Sequence, residues 1–473
     1  MTTTSSVHSP AWWRPQATPR VSVAHPQAVP AASTFRPVPR ASAFLTSEAS
    51  AKEVRRKKPG TSTASVVAFR ALVAFTVILL LSPQAWFPAL GQLRIAFVAA
   101  VVAIGAHLLD RMVHGRGDAP PFSAETGIAL LLVAWAVITV PVSYWVGGSV
   151  EVLTNQYVKA VAFFWLIGTL ATTERRLRTI AWTLTLCAVP LAITGIRNYL
   201  LGDVFSTGVP GLTRIAGYMG GSGLAANPND LALMLNLIVP IAAALMIGTR
   251  SIALRGIAAI VMMLSVAGII VTFSRAGFLT LMATAVMLLA VLIRRHSGGA
   301  ASFLVAVALI APMFVPDSYF QRLSTITDIQ SDQTGSAQGR WQDVVVSAGI
   351  VSHNPIVGAG IGNDMLALNK YRGKDTYRSV HNAYLQYAVD LGLPGMLLFA
   401  WLHIRCFRSA RRVERLAGLE DAFRPLGPLA AGIQVSLVTF FVAAMFHPIA
   451  YQFYFFTVAG LAVALNNTAR ATA

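Results

Sequence analysis

The chain has 473 residues, of which 55% are hydrophobic and only 12% charged, and its mean hydropathy is +0.62. So little charge cannot clothe a soluble fold of this size, which excludes a soluble enzyme and predicts an all-α polytopic membrane protein. The net charge of +18 then reads as Lys and Arg loading of cytoplasmic loops and attraction to anionic lipid, with no nucleic-acid partner.

Residues 1–63 have no apolar core and are rich in Pro, Ser, Ala and Thr, so they are expected to form a disordered basic cytoplasmic tail rather than a signal peptide. The run "KEVRRKKPG" before the first apolar stretch holds that tail inside. Trp12 and Trp13 read as a sticky segment of the tail, with partner binding as the alternative. The two cysteines, Cys187 and Cys406, fall in or beside apolar segments, and no disulfide framework is expected.

From there, windows of about 19 residues predict about 12 spans, at 66–82, 91–109, 126–145, 157–172, 179–197, 230–248, 256–273, 276–293, 300–316, 383–402, 427–445 and 452–466. With the N-terminus inside, the cytoplasmic loops read "DRMVHGRGDAPP", "TERRLRT", "GTRSIALR", "RRHSGG" and "RCFRSARRVERLAGLEDAFRP", each with at least two Lys or Arg. The outer loops "PQAWFPAL" and "VGGSVEVLTNQY" have none. Both termini are expected to be cytoplasmic, with residues 64–466 as the membrane domain and 467–473 as a short tail.

Two outer segments are unusual, residues 201–230 and the long loop 317–382 between the ninth and tenth spans. The long loop is predicted to hold an amphipathic helix over "GRWQDVVVSAGIVSHNP", a tight glycine turn at "GAGIGN" and a second helix over "DMLALNKYRG". The glycines follow a helix rather than a strand, so they are not a dinucleotide fingerprint.

The chemistry-bearing residues gather on the same side. Arg197, Arg214, Arg275, Arg322, Arg340, Arg372 and Arg378 all run against the positive-inside bias. Arg275, in "IIVTFSRAGFLTL", is the sharpest case, because a charge at membrane depth is costly unless paired or wet. The bland alternative is a snorkelling arginine that anchors a turn. Guanidinium forks suit phosphate, so the cluster points to a lipid-borne phosphate or pyrophosphate. His381 titrates near neutral pH and can take a proton from a hydroxyl, while Asn382, Tyr384 and Gln386 are placed to orient a sugar. The six Asp of the long loop (317, 328, 332, 343, 364 and 375) lack a compact metal-ligand spacing, and no metal or other cofactor is expected. His353 and His447, each close before a proline, read as helix-end features.

The stretches "RIAGYMGGSGLAANPND", "TFSRAGF", "GRWQDVVVSAGIVSHNPIVGAGIGN" and "SVHNAYLQYAVDLGLPG", in that order, resemble the O-antigen ligase and polymerase family of bacterial membrane glycosyltransferases. The resemblance runs over roughly residues 65–465. It implies about twelve helices with a long periplasmic loop, a bacterial inner-membrane location, and a metal-independent, inverting glycosyltransferase of surface polysaccharide, either polymerase or ligase. The implied donor is a glycan on undecaprenyl pyrophosphate. The implied acceptors are a glycan, lipid A–core or another hydroxyl, and a flippase or chain-length regulator is an implied partner. By position, the resemblance gives pyrophosphate-holding roles to Arg214 and Arg275, a less settled one to Arg340, and that of catalytic base to His381 in the "HN" motif; Asn382 and Arg378 are read as supporting residues beside them. A transporter or flippase of lipid-linked sugars is the alternative; it requires charged or broken helices at mid-membrane, whereas most spans here are clean.

Overall fold

The computed structural model describes residues 62–114, 122–206, 213–218, 225–295, 298–299, 301–302, 305–306, 336–373 and 378–473. The chain is built of helices: α1 (Thr63–Leu81), α2 (Ile95–His114), α3 (Ala124–Thr139), α4 (Val158–Leu170), α5 (Glu174–Leu200), α6 (Pro228–Gly248), α7 (Ile252–Val271), α8 (Arg275–Arg294), α9 (Ser336–His353), α10 (Asp364–Arg372), α11 (Ala383–Leu419), α12 (Gly427–Ala444) and α13 (Phe453–Thr472). A two-stranded antiparallel ribbon, β1 (Val204–Ser206) with β2 (Thr213–Ile215), sits between α5 and α6 and pairs Phe205 with Arg214.

Nine of the described helices are long and apolar enough to cross a membrane, in line with an all-α polytopic membrane protein. They overlap nine of the expected spans. Of the other three, 300–316 lies almost wholly outside the described residues. The segment 157–172 becomes α4, only 13 residues long, although a π-helical turn at Leu153–Tyr157 and a helix at Val146–Val152 extend it. The segment 452–466 becomes α13, whose last turns carry Asn466, Asn467 and Thr468, all buried. Residues 467–472, expected as a tail, continue that helix, and Asn467 Nδ2 donates to Gly168 O at 3.0 Å. The N-terminal tail, with Trp12 and Trp13, lies outside the described residues, as do Asp317, Arg322, Asp328, Asp332 and Asp375. Both cysteines are free and buried.

The helices begin where short polar side chains can satisfy the first backbone N–H groups. Ser123, Thr173, Asn227, Ser274 and Asn382 cap α3, α5, α6, α8 and α11 in this way. The apolar window of α6 is 83% buried against 6% for α2, so α6 is the central pillar and α2 faces outward.

The fold's decisive device is a break in α11. Gly392 takes φ 68°, and Pro394 two residues later has no N–H to donate. Carbonyls released there must find donors, because membrane interior offers no water. Leu393 N turns away to Pro355 O at 2.8 Å, and Ala359 N and Gly360 N fill Val389 O and Asp390 O at 2.8 Å each. Trp135 Nε1 donates to Leu391 O at 2.8 Å. The predicted glycine turn thus exists, with positive φ at Gly358, Gly360 and Gly362, and its job is to clasp α11. The predicted helices on either side of it are α9 and α10. They share a small core of their own, in which Ile350, Ala367 and Leu368 pack with Val380 and Val389.

Candidate active site

His381 stands two residues before α11, in an extended stretch pinned from both sides. Asp364 Oδ2 accepts Val380 N at 2.8 Å, and Asn382 Oδ1 accepts Tyr384 N and Leu385 N at 3.0 and 3.1 Å. His381 Nδ1 lies 2.9 Å from Ser379 O. A carbonyl only accepts, so in the neutral ring Nδ1 carries the proton and Nε2 the lone pair. Burial, and then the Arg340 charge, push the His381 pKa down to about 4 against the opposing carbonyl bond from Ser379, with Arg378 adding to the depression. The ring is therefore neutral across the physiological range, the state a base requires.

Behind the ring lies Asp343 of α9, 1% exposed, which pairs with Arg372 of α10. Its Oδ2 is 3.8 Å from His381 Nδ1 and has no hydrogen-bond partner among the described residues. Asp343, Ser347 and Ile350 are buried at helical spacing on α9, which turns Asp343 inward. The Arg378 guanidinium lies against Gly339, where a Cβ would meet Nη1 at 2.5 Å. Arg340 of α9 and Arg378 of the stretch before α11 thus act on His381, and Arg372 of α10 joins them through Asp343.

Arg214 and Arg275 form a second group. Arg214 Nη2 donates to Asn229 Oδ1 at 2.7 Å, and the same oxygen accepts Ser274 Oγ at 2.7 Å. Ser274 caps α8, of which Arg275 is the first residue. The turn before it is strained, since Phe273 holds φ 52°, a region uncommon for any residue other than glycine. Asn229 and Asp230, in the first turn of the central helix α6, link the ribbon to this turn, and Asp230 lies in electrostatic range of Arg214.

Sequence reasoning gave His447 only a helix-end role. Its Nδ1 does donate to Ala443 O at 2.8 Å at the end of α12. The residue is also 2% exposed, near the Asn229 backbone, and in electrostatic range of Arg340 and His381. It is the element common to the two arginine groups. Burial, and then these neighbouring charges, lower its pKa to about 4 against the opposing carbonyl bond from Ala443. Its Nε2 has no hydrogen-bond partner among the described residues. The only sequence signal was a histidine at the same end of the helix bundle as the arginines. His353 remains what it was read to be, a helix-end residue bonded to Gly349 O at 2.8 Å.

The residues expected to orient a sugar are partly committed elsewhere. Asn382 is a helix cap, and Gln386 Oε1 accepts Ala450 N at 3.1 Å. Tyr384 OH reaches Phe441 O at 3.5 Å. Among the described residues no three His, Cys, Asp or Glu converge as metal ligands.

No curated protein matches the chain. The family model described as O-antigen ligase matches residues 258–400, a segment that holds Arg275, Arg340, Arg378, His381 and Asn382 but neither Arg214 nor His447. A glycosyltransferase-type role in polysaccharide ligation, in a multi-pass membrane protein, goes with that match. Over residues 258–400 the chain is similar to the O-antigen ligase family.

Proposed function

We propose that the protein transfers a glycan from an undecaprenyl-pyrophosphate carrier to an acceptor hydroxyl at the periplasmic face of the bacterial inner membrane, in polymerisation or ligation of surface polysaccharide. The observation that carries this reading is a neutral, tautomer-fixed His381 beside arginines drawn from separate elements.

In the proposed step the acceptor O–H gives its proton to His381 Nε2 as its oxygen attacks the anomeric carbon. The bond from that carbon to the pyrophosphate oxygen breaks, and the carrier leaves as its pyrophosphate. One displacement inverts the centre. Arg214 and Arg275 balance charge on the leaving group, with Arg340 and Arg378 nearer the base, and a preorganised donor of this kind typically contributes about 100- to 1,000-fold in rate. No metal enters the step. Asp343, 3.8 Å behind Nδ1, stabilises the imidazolium that forms. The bound diphosphate also offsets the Arg340 and Arg378 charges, which raises the basicity of His381 when the acceptor needs it.

The test is transfer in vitro from a defined lipid-pyrophosphate glycan by the purified, membrane-inserted protein. His381→Ala and Arg275→Ala are each expected to lose about 100-fold or more while inserting normally. Normal product from both variants would reject the assignment.

A further inference from the structure

The far end of α11 holds a site of a different kind. On the face that continues past Ile404, residues 404, 408, 411 and 415 recur at helical spacing. Within one turn that face changes from apolar to cationic, through Arg408, Arg411, Arg412 and Arg415. Together with Val438 and Phe441 of α12 they line a hollow of about 770 Å³. A second hollow of about 420 Å³ shares Phe407, Arg411 and Arg415. Both lie in the size range of ligand pockets, roughly 300–1,000 Å³.

Three of the acids at this end already have partners. Glu125 faces Arg405 at 3.5 Å, Glu414 pairs with Arg295 at 3.1 Å and Asp421 with Arg424 at 2.8 Å. None of the four hollow-lining arginines has an ion-pair partner among the described residues. Ile404 and Phe441 on the walls are 48% and 45% exposed. The hollow thus offers a bare cationic rim directly above an open apolar wall. The cationic rim sits at the start of α12, where Arg295 Nη2 donates to Glu414 Oε1 and Gly427 O at 3.1 and 2.7 Å. His447, in electrostatic range of His381, follows the other end of that 18-residue helix, roughly 27 Å away at 1.5 Å per residue, which is close to the roughly 30 Å hydrocarbon layer and puts the rim toward the opposite membrane surface.

We infer that this hollow is a binding site for an anionic phospholipid of the leaflet remote from His381. The phosphodiester sits among Arg408, Arg411, Arg412 and Arg415, and an acyl chain lies along Ile404, Phe407, Val438 and Phe441. A soluble anion uses the rim but leaves the wall bare, and a zwitterionic lipid covers the wall but brings no net charge. Only an anionic amphiphile satisfies both halves. The inference is independent of the transfer reaction.

The experiment uses the full-length protein in nanodiscs and in detergent. Phosphatidylglycerol is expected to bind on the order of tenfold or more tightly than phosphatidylcholine, by native mass spectrometry, and to raise the melting temperature in detergent. Arg408→Gln/Arg411→Gln/Arg412→Gln/Arg415→Gln is expected to abolish that preference, whereas Arg250→Gln/Arg470→Gln retains it. If the fourfold variant does not fold, Arg411→Gln alone is expected to weaken it. Ile404→Trp fills the wall with the charge intact and is also expected to weaken binding. Equal binding of the two lipids overturns the inference. So does unchanged phosphatidylglycerol binding by the arginine variants or by Ile404→Trp, and so does stabilisation by inorganic phosphate equal to that by the lipid.

Discussion

His381 shows how a single side chain can be given one protonation state and one orientation by its neighbours. Burial and the Arg340 and Arg378 charges hold its pKa near 4, so the imidazole gains its proton only below about that pH. The acid limb of kcat/KM, which reports the free enzyme, is therefore expected well below the ordinary imidazole value. The limb of kcat, which reports the donor-bound state, is expected at higher pH, because the diphosphate offsets the guanidinium charges. Arg340→Gln removes one depressing charge, so it should move the kcat/KM limb upward as well as weaken transfer. A limb that stays in place in that variant contradicts the role given to Arg340. His447 is separable from its helix-end bond by choice of substituent. Asparagine can replace the Nδ1 donor to Ala443 O but not the lone pair at Nε2, which glutamine reaches. If the lone pair serves the reaction, His447→Asn loses transfer about tenfold or more and His447→Gln recovers part of it. Full activity in His447→Asn leaves the residue with its helix-end bond alone.

At the scale of elements, the break in α11 carries the site. Gly392 has φ 68°, and a Cβ there would meet Ile356 O at 2.1 Å. Gly360 has φ 92°, and a Cβ there would meet Ser143 Cβ at 2.0 Å. Either glycine replaced by alanine is expected to destabilise the loop-to-helix clasp by about 2 kcal/mol or more, read as a lower melting temperature and faster proteolysis between α9 and α10. Melting and proteolysis indistinguishable from the parent would show the clasp to be dispensable. Much of this layer was legible beforehand. The amphipathic α9, the glycine turn and α10 follow from periodicity and from glycine's freedom at positive φ. The partner of the turn did not. Only the fold brings the N–H groups of Ala359 and Gly360 to the carbonyls of Val389 and Asp390, and nothing local in "GAGIGN" names that partner. His447 was hidden for the same reason, since its neighbours Asn229, Arg340 and His381 are distant in sequence. The extent of α13 was misjudged because its buried Asn466, Asn467 and Thr468 look like solvent-exposed residues until α4 is packed beside them.

Across the whole molecule, the helix ends sort into two groups. Arg178 at the start of α5 bonds Gly248 O at the end of α6 and Pro425 O before α12, at 3.0 and 3.2 Å, and the arginine-lined hollow lies among the same set of ends. His381, Arg214 and Arg275 belong to the other set. Cysteines introduced at exposed Arg250 and Gly418 are expected to label from the cytoplasm, and one introduced at exposed Tyr371 from the periplasm. Labelling of all three from one side would dissolve the topology. The clasp at Gly392 also bears on how a bulky carrier gets in. If the layer of α9 and α10 rose like a hatch, two peptide oxygens would be stripped of their donors at the edge of the bilayer. Admission should then be sideways, from the lipid between helices, with the roof staying shut. A disulfide between Ala359→Cys and Val389→Cys, which locks that roof, is accordingly expected to leave turnover intact, and inhibition relieved by reductant would mean that the roof has to open.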